Sequence, residues 1–242
     1  MENTYDKVLR VARFAGEVVA ETLWPTRCAI CDAPGNVLCD DCARALPFLD
    51  WWRACPRCGS AYARVQCDYC NSVMLERIGR SCLPFSSCSS ATEFTEETGR
   101  LVRVYKDQGE QRLASVLAGF MVRAVSPGWQ FEAVTFVPAS KAAYRYRGFD
   151  HCELLANRVA CELGRECISS LCRPNTRDQR ALGGRERIEN LRVGFKANGS
   201  VVGRSLLLVD DVFTTGSTLC AATDALLEAG AHKVFCLTFA RV

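Results

Sequence analysis

From about residue 81 onward, short apolar runs alternate with segments of helical spacing. Positions 133–137 (AVTFV) and 205–209 (SLLLV) are almost continuously apolar, the pattern of strands buried on both faces. Positions 86–92, 167–171 and 233–239 predict further strands. Helical spacing runs over 97–105, 111–125, 152–163 and 217–229. In the second of these, Leu113, Val116, Leu117, Phe120 and Ala124 share one face, and the last stops at Gly230. Strands alternating with helices predict an α/β fold, a mostly parallel sheet with helices on both faces. Such sheets bind ligands at the carboxyl ends of their strands.

The amino-terminal region reads differently. Val8, Val11, Ala12, Ala15, Val18, Val19 and Leu23 recur at three- and four-residue spacing, which predicts an amphipathic helix over 5–23, stopped by Pro25. Packing against the rest of the chain is its expected role, and a membrane-surface helix the lesser one because basic residues are few. Cysteine density falls after residue 75–85, which sets an expected boundary there. The expected organisation is a helix (1–24), a cysteine module (25–80) and an α/β domain (81–242).

Sixteen cysteines occur in 242 residues. Eight form C-x-x-C pairs: Cys28 with Cys31, Cys39 with Cys42, Cys55 with Cys58, and Cys67 with Cys70. Each pair is a knuckle whose two sulfurs converge on one metal, and two knuckles complete a tetrahedron. The module predicts two structural Zn2+ sites with no open position. Short loops favour sequential sites, Cys28–Cys31–Cys39–Cys42 and Cys55–Cys58–Cys67–Cys70, and a cross-braced order is the alternative. The other eight cysteines read as small buried hydrophobes. Two zinc ions (+4) on eight thiolates (−8) take the formal charge from +3 to −1, so global attraction to nucleic acid is not implied. No apolar run reaches the roughly 18 residues of a membrane helix: LASVLAGFMVRAV is broken by Arg123. With no secretory pattern at 1–14, a cytoplasmic protein is expected.

The segment 206–219, LLLVDDVFTTGSTL, carries the most chemistry. Its apolar strand delivers Asp210 and Asp211 to the carboxyl end. Thr214, Thr215, Gly216, Ser217 and Thr218 then open a helix. Glycine permits the tight turn, and backbone N–H groups at a helix start suit a phosphate. Two adjacent carboxylates suit a sugar diol or a magnesium-bound sugar phosphate. A plain N-capped helix would explain Ser217 or Thr218 but not two acids and two threonines together.

VDDVFTTGST resembles the phosphoribosyl-pyrophosphate signature of type I phosphoribosyltransferases. Together with the cysteine pairs it is similar to the competence protein F family (ComF/GntX-type). Lys106 in its V-Y-K context, VPASKAAYRYRGFDHCELLA (137–156) and TRDQRALGGRERIENLRVGF (176–195) match further blocks of that family, with Asp150-His151 where Asn-Gln is usual. The resemblance implies a type I phosphoribosyltransferase-like sheet plus a small zinc-ribbon module with four cysteines to each metal. It implies Asp210 and Asp211 on the ribose hydroxyls, as candidate catalytic groups, and Thr214–Thr218 around the 5′-phosphate, with Mg2+ accompanying phosphoribosyl pyrophosphate. It also implies a role in natural transformation, with single-stranded DNA and other DNA-uptake proteins as partners.

Three constellations remain. Ser140, Lys141, Arg145 and Arg147 follow the strand at 133–137, so they are candidates for the pyrophosphate, or else a solvated basic loop. His151 is a candidate base or a local hydrogen-bonding group. The arginine-rich stretch 173–196 is a hood over the site or a surface for single-stranded DNA, although Phe195 is its only aromatic residue. Three functions follow: a donor-binding protein of DNA uptake, an active phosphoribosyltransferase in nucleotide or base salvage, and a non-catalytic sensor of the donor.

Overall fold

The computed structural model describes residues 25–77, 79–173 and 194–242. The helix expected over 5–23 and the arginine-rich residues 174–193 lie outside them. Contact density divides the chain into Met1–Ala45 and Leu46–Val242. Cysteine density and contact density therefore divide it at different places: the second group of four cysteines falls in the larger unit.

In the smaller unit the backbone folds back around Cys28. Its N–H donates to the Ala33 carbonyl at 2.8 Å, and the Asp32 N–H donates to the Cys28 carbonyl at 2.9 Å. Asp32 takes a positive φ of 63°, a conformation Asp tolerates better than most residues. Helix α1 (Asp40–Arg44) begins directly after Cys39.

The larger unit is built on five strands: β1 (Ser87–Glu93), β2 (Ala133–Phe136), β3 (Glu166–Cys167), β6 (Ser205–Phe213) and β7 (Lys233–Arg241). Their order is β1-β7-β6-β2-β3, and every pairing is parallel. Helix α2 (Ser72–Arg77) precedes the sheet. Between the strands run α3 (Glu96–Lys106), α4 (Leu113–Arg123), α5 (Lys141–Arg147), α6 (His151–Leu163) and α7 (Ser217–Glu228). Two short strands, β4 (Leu171–Cys172) and β5 (Lys196–Ala197), pair antiparallel outside the main sheet. They hold together the two ends of the arginine-rich stretch, where the Arg173 guanidinium lies 4.9 Å over the Phe195 ring.

Leu206, Leu207, Leu208 and Val209 are fully buried, each worth about 2 kcal/mol in removed apolar surface. Alternation splits them between two layers. Leu206 and Leu208 join the cluster that includes Leu219, Ala222 and Leu226 of α7, while α4 and α6 pack on the sheet and each other. The buried residues of α4 are Leu113, Ala114, Leu117, Ala118 and Met121. Its expected face was thus turned by about one position: Val116 and Phe120 are only half-buried, and Phe120 instead meets the Phe48 ring edge-on.

Three expectations need correction. The single strand at 167–171 is two strands, β3 and β4, in different sheets, because the backbone leaves β2 after Ile168, whose N–H donates to the Val134 carbonyl. The basic block after Pro138 is not simply a loop. Ser140 caps α5 by accepting the Ala143 N–H at 3.1 Å, and Gly148 ends it with φ 79°. Finally, β6 does not stop at Val209 but runs four residues further, through both aspartates.

The outer edge of β1 would invite pairing with another chain, but local segments cover it. The Leu49 N–H donates to the Ala91 carbonyl and the Glu93 N–H to the Pro47 carbonyl, both at 2.9 Å. Further along, the Cys88 N–H donates to the Arg57 carbonyl at 3.0 Å. Gly59 makes this approach possible: its φ is +74°, and a Cβ there would lie 2.6 Å from the Cys88 carbonyl oxygen. Gly59→Ala should destabilise the fold by at least about 2 kcal/mol. That is roughly 4–8 °C in melting temperature for a unit of this size, measured by thermal unfolding of the zinc-loaded chain. An unchanged midpoint would mean the segment is free to move off β1.

Candidate functional site

The two cysteine groups form sequentially. Cys28, Cys31, Cys39 and Cys42 have their sulfurs within 4.8 Å of one another, as do Cys55, Cys58, Cys67 and Cys70. Within them, Cys31 and Cys39 lie 3.7 Å apart, Cys55 and Cys70 3.6 Å, and Cys58 and Cys67 3.5 Å. Those distances exceed a disulfide and approach the sulfur–sulfur edge of about 3.8 Å that four bonds of about 2.3 Å to zinc require. The donor set and spacing fit structural Zn2+. Four thiolates on one ion would leave no position for a reacting water, so the donor set suits a structural ion rather than a catalytic one.

The second site sits where the sheet changes direction. From β2 the chain proceeds outward to β3, whereas from β6 it proceeds the opposite way to β7. The crevice between β2 and β6 is therefore a topological switch point, where such sheets bind ligands. Here β2 ends at Phe136, paired with Val209, and the Val137 N–H donates to the Val209 carbonyl at 3.0 Å. Beyond that point β6 pairs only with β7. By strand alternation, the Asp211 N–H faces the side that β2 has left. The Asp210 carboxylate accepts it at 3.0 Å, and the Val212 N–H donates to the Asp211 carboxylate at 2.7 Å.

Both carboxylates are buried, at 8% and 9% exposure for their residues, which would be costly without partners. Asp211 has them. Lys106, the last residue of α3, places its ammonium 2.7 Å from Asp211 Oδ2, and His151 Nε2 lies 3.4 Å from the same oxygen. Burial alone would raise the Asp211 carboxyl, but the His151 hydrogen bond and the Lys106 charge outweigh it and hold it well below the ordinary range. Burial would likewise lower Lys106, and Asp211 more than reverses that. Asp210 is less well served. Burial, then the charge of Asp211, push its carboxyl up to about 7. Its side-chain donor is the Cys152 thiol, 3.3 Å from Oδ1, kept protonated because burial raises it well above its usual value.

His151 is placed as a connector. Its Nδ1 lies 3.3 Å from Arg147 Nη1. A guanidinium only donates, so Nδ1 accepts and the proton belongs on Nε2, directed at Asp211. The Tyr105 hydroxyl donates to the His151 carbonyl at 2.6 Å.

Asp150, where the resembled family has Asn, caps α6 by accepting the Cys152 and Glu153 N–H groups and also accepts the Ala139 N–H at 2.7 Å. An acid directly before a helical run is a legible cap signal; Lys106 is marked only by the family resemblance of its V-Y-K context, and the Cys152 contact has no comparable sequence signal. Of the four pyrophosphate candidates, Ser140 is occupied as a cap and Arg147 reaches Asp107 at 3.0 Å as well as His151. Lys141 and Arg145 are exposed on α5.

The loop at 214–218 completes the arrangement. Thr214, Thr215 and Ser217 are exposed; the N-cap Gly216 has no side chain to offer α7, and Thr215 Oγ1 accepts the Ser217 N–H at a long 3.4 Å. The N–H groups that follow in its first turn, with the positive end of the helix dipole, face the loop and suit an anion. Gly216 has φ 75°, and a Cβ there would sit 2.6 Å from the Phe213 ring, so both conformation and space demand glycine. The arrangement offers hard oxygen ligands beside an anion cradle, suited to a divalent cation and a phosphorylated diol.

Because the folded state holds the Asp210 proton more tightly than the unfolded chain, its stabilising contribution is complete below about pH 4 and lost as pH rises through about 7. Asp210→Asn retains an acceptor for Cys152 and the Asp211 N–H. It should raise the melting temperature by a few degrees at about pH 8 and change it little at about pH 5. Scanning calorimetry decides; a lower melting temperature at the higher pH would mean that the carboxylate charge stabilises the fold.

Residues 150–242 match the family model described as a phosphoribosyl transferase domain. The DNA utilization protein YhgH of Salmonella typhimurium is 29% identical over 231 residues, 88% of this chain and 96% of that protein. Competence protein ComFC of Streptococcus pneumoniae is 27% identical over 202 residues, 82% and 85% of the two chains. ComFC of Bacillus subtilis is 28% identical over 201 residues, 81% and 80%. The chain is a homologue, over most of its length, of the ComFC and YhgH proteins, with a phosphoribosyl transferase domain at its carboxyl-terminal end and two four-cysteine groups before it.

Proposed function

We propose that this chain binds phosphoribosyl pyrophosphate with Mg2+ and acts in natural competence, assisting the uptake or handling of transforming single-stranded DNA in the cytoplasm. The observation that carries the donor reading is the pair of buried carboxylates at the β2/β6 switch point beside a helix start whose N-cap is glycine. In it, Asp210 and Asp211 hold the ribose hydroxyls and Thr214–Thr218 the 5′-phosphate. Exposed Lys141 and Arg145 reach toward the pyrophosphate, and Mg2+ offsets its charge when bound. The relatives' names supply the DNA context. Among the described residues no helix is long and apolar enough to cross a membrane.

A second observation favours direct contact with DNA. Around the second cysteine group, Tyr62, Tyr69 and Trp52 are 70%, 60% and 51% exposed. Arg53 lies over Tyr62 at 4.7 Å, and Arg57 and Arg64 are also exposed. Aromatic faces among arginines are what unpaired bases and phosphates require.

Isothermal titration of the donor plus Mg2+ tests the first part. Wild type should bind, and Asp210→Ala with Asp211→Ala should weaken binding at least about tenfold. Affinity should rise between about pH 6 and about pH 8 as Asp210 gives up its proton. No binding by wild type, or unchanged binding by the double variant, rejects the reading. Pyrophosphate release on a base or nucleotide panel would assign the chain to salvage; binding without release would favour a sensor. For DNA, single-strand affinity should fall with rising salt and weaken in Trp52→Ala with Tyr62→Ala. Affinity indifferent to both rejects the surface.

A further inference from the structure

We propose that Arg241 is a positioning residue that couples the second cysteine group to the phosphate loop. The proposal rests on the donor-binding reading of that loop. Arg241 ends β7, in register with Phe213 of β6, and is 6% exposed. Its guanidinium donates to the Cys58 carbonyl at 2.7 Å, and Nη2 lies 3.8 Å from Cys58 Sγ. Among the described residues no carboxylate pairs with it. A buried guanidinium stays charged and is strongly disfavoured without a counter-ion. The available counter-charge is the thiolate group: four thiolates around one Zn2+ keep two negative charges. Metal occupancy at Cys55, Cys58, Cys67 and Cys70 and the burial of Arg241 therefore support each other.

The other side of the guanidinium reaches the candidate donor site. It lies 4.0 Å over the Phe213 ring, a geometry favoured by the ring's quadrupole and strengthened by burial. The same ring is the floor of the loop, since a Cβ on Gly216 would meet its Cζ at 2.6 Å. Thiolate group, guanidinium, ring and Gly216 form one continuous stack. With metal and guanidinium in place, the ring holds Gly216 so that the first N–H groups of α7 present themselves to a phosphate. Without either, the ring can turn and the loop loses its floor.

The test uses the full zinc-loaded chain and three variants. Arg241→Met removes charge and plane, Arg241→Lys keeps the charge alone, and Phe213→Leu removes the ring. Zinc per chain, amide hydrogen exchange over 214–219 against 206–209, and the dissociation constant for phosphoribosyl pyrophosphate with Mg2+ are measured for each. Arg241→Met should leave 206–209 protected while 214–219 exchanges about tenfold faster and the donor binds about tenfold more weakly. Arg241→Lys should keep two zinc ions per chain yet still show the loosened loop. Should Arg241→Met fail to fold, Phe213→Leu decides, with zinc content unchanged and the loop loosened. Exchange rising equally across the sheet, or a loop indifferent to all three variants, overturns the coupling. Wild type that binds no donor removes the donor reading alone, because the exchange comparison still decides whether the loop answers to Arg241.

Discussion

Two neighbouring carboxylates are held out of water at the end of one strand, and much of the surrounding structure answers to that cost. Asp210 and Asp211 occupy the half of β6 that β2 has stopped covering; the Asp210 carboxylate accepts the Asp211 amide, which the sheet leaves without a strand partner, and the Asp211 carboxylate accepts the Val212 amide. Lys106 arrives from α3 and His151 from α6 to hold Asp211 ionised, and Cys152 supports Asp210 with a weak thiol donor. Arg147 and Tyr105 fix the histidine in turn. The asymmetry is the useful part. One acid is strongly supported and the other retains its proton near neutrality, so the pair is poised for a cation or diol to complete it.

The two cysteine groups fall in different units. The first is a self-contained turn in its own unit. The second is built into the unit that carries the sheet: its backbone runs along β1 at Arg57 and Gly59, and Cys58 receives the Arg241 guanidinium. Two similar four-cysteine groups thus lie in different settings, one in the smaller unit and one built into the α/β unit. Spacing alone does not distinguish the two outcomes, because the difference lies in what each knuckle touches.

Much of the fold was legible because its signals are local. The apolar run at 206–209, the glycine-ended helix after it and the paired cysteines each state their structure within about a dozen residues. The sequential grouping of the cysteines likewise agrees with their short loops. What could not be read depends on distance or on polar chemistry. Helix α5 buries no residue completely, so KAAYRYR has no apolar stripe, and a cap at each end defines it. Strand β1, expected at 86–92, lies at Ser87–Glu93, but the burial of so polar a segment (SCSSATE) could not be read, because it depends on Ser90 pairing with the Thr238 hydroxyl and Thr92 donating to the Phe239 carbonyl. Asp210 and Asp211 read as a loop following a strand, although β7 keeps them in the sheet. Arg241 is 183 positions from Cys58, and nothing in its own neighbourhood announces a buried guanidinium.

The strand order has a consequence for how this molecule acquires its structure. Strand β7 lies between β1 and β6, so β1 cannot be joined to the sheet until a strand nearly 150 positions later has docked beside it. Loop closure over such a separation is entropically demanding, and parallel sheets rich in distant contacts fold slowly. The cysteine knuckles, by contrast, close loops of about ten residues and can capture metal early. Folding is therefore expected to proceed from metal-bound turns toward a late-forming sheet centre. In the interval the apolar strands 205–209 and 233–239 remain exposed, and this is when the chain would depend most on a chaperone.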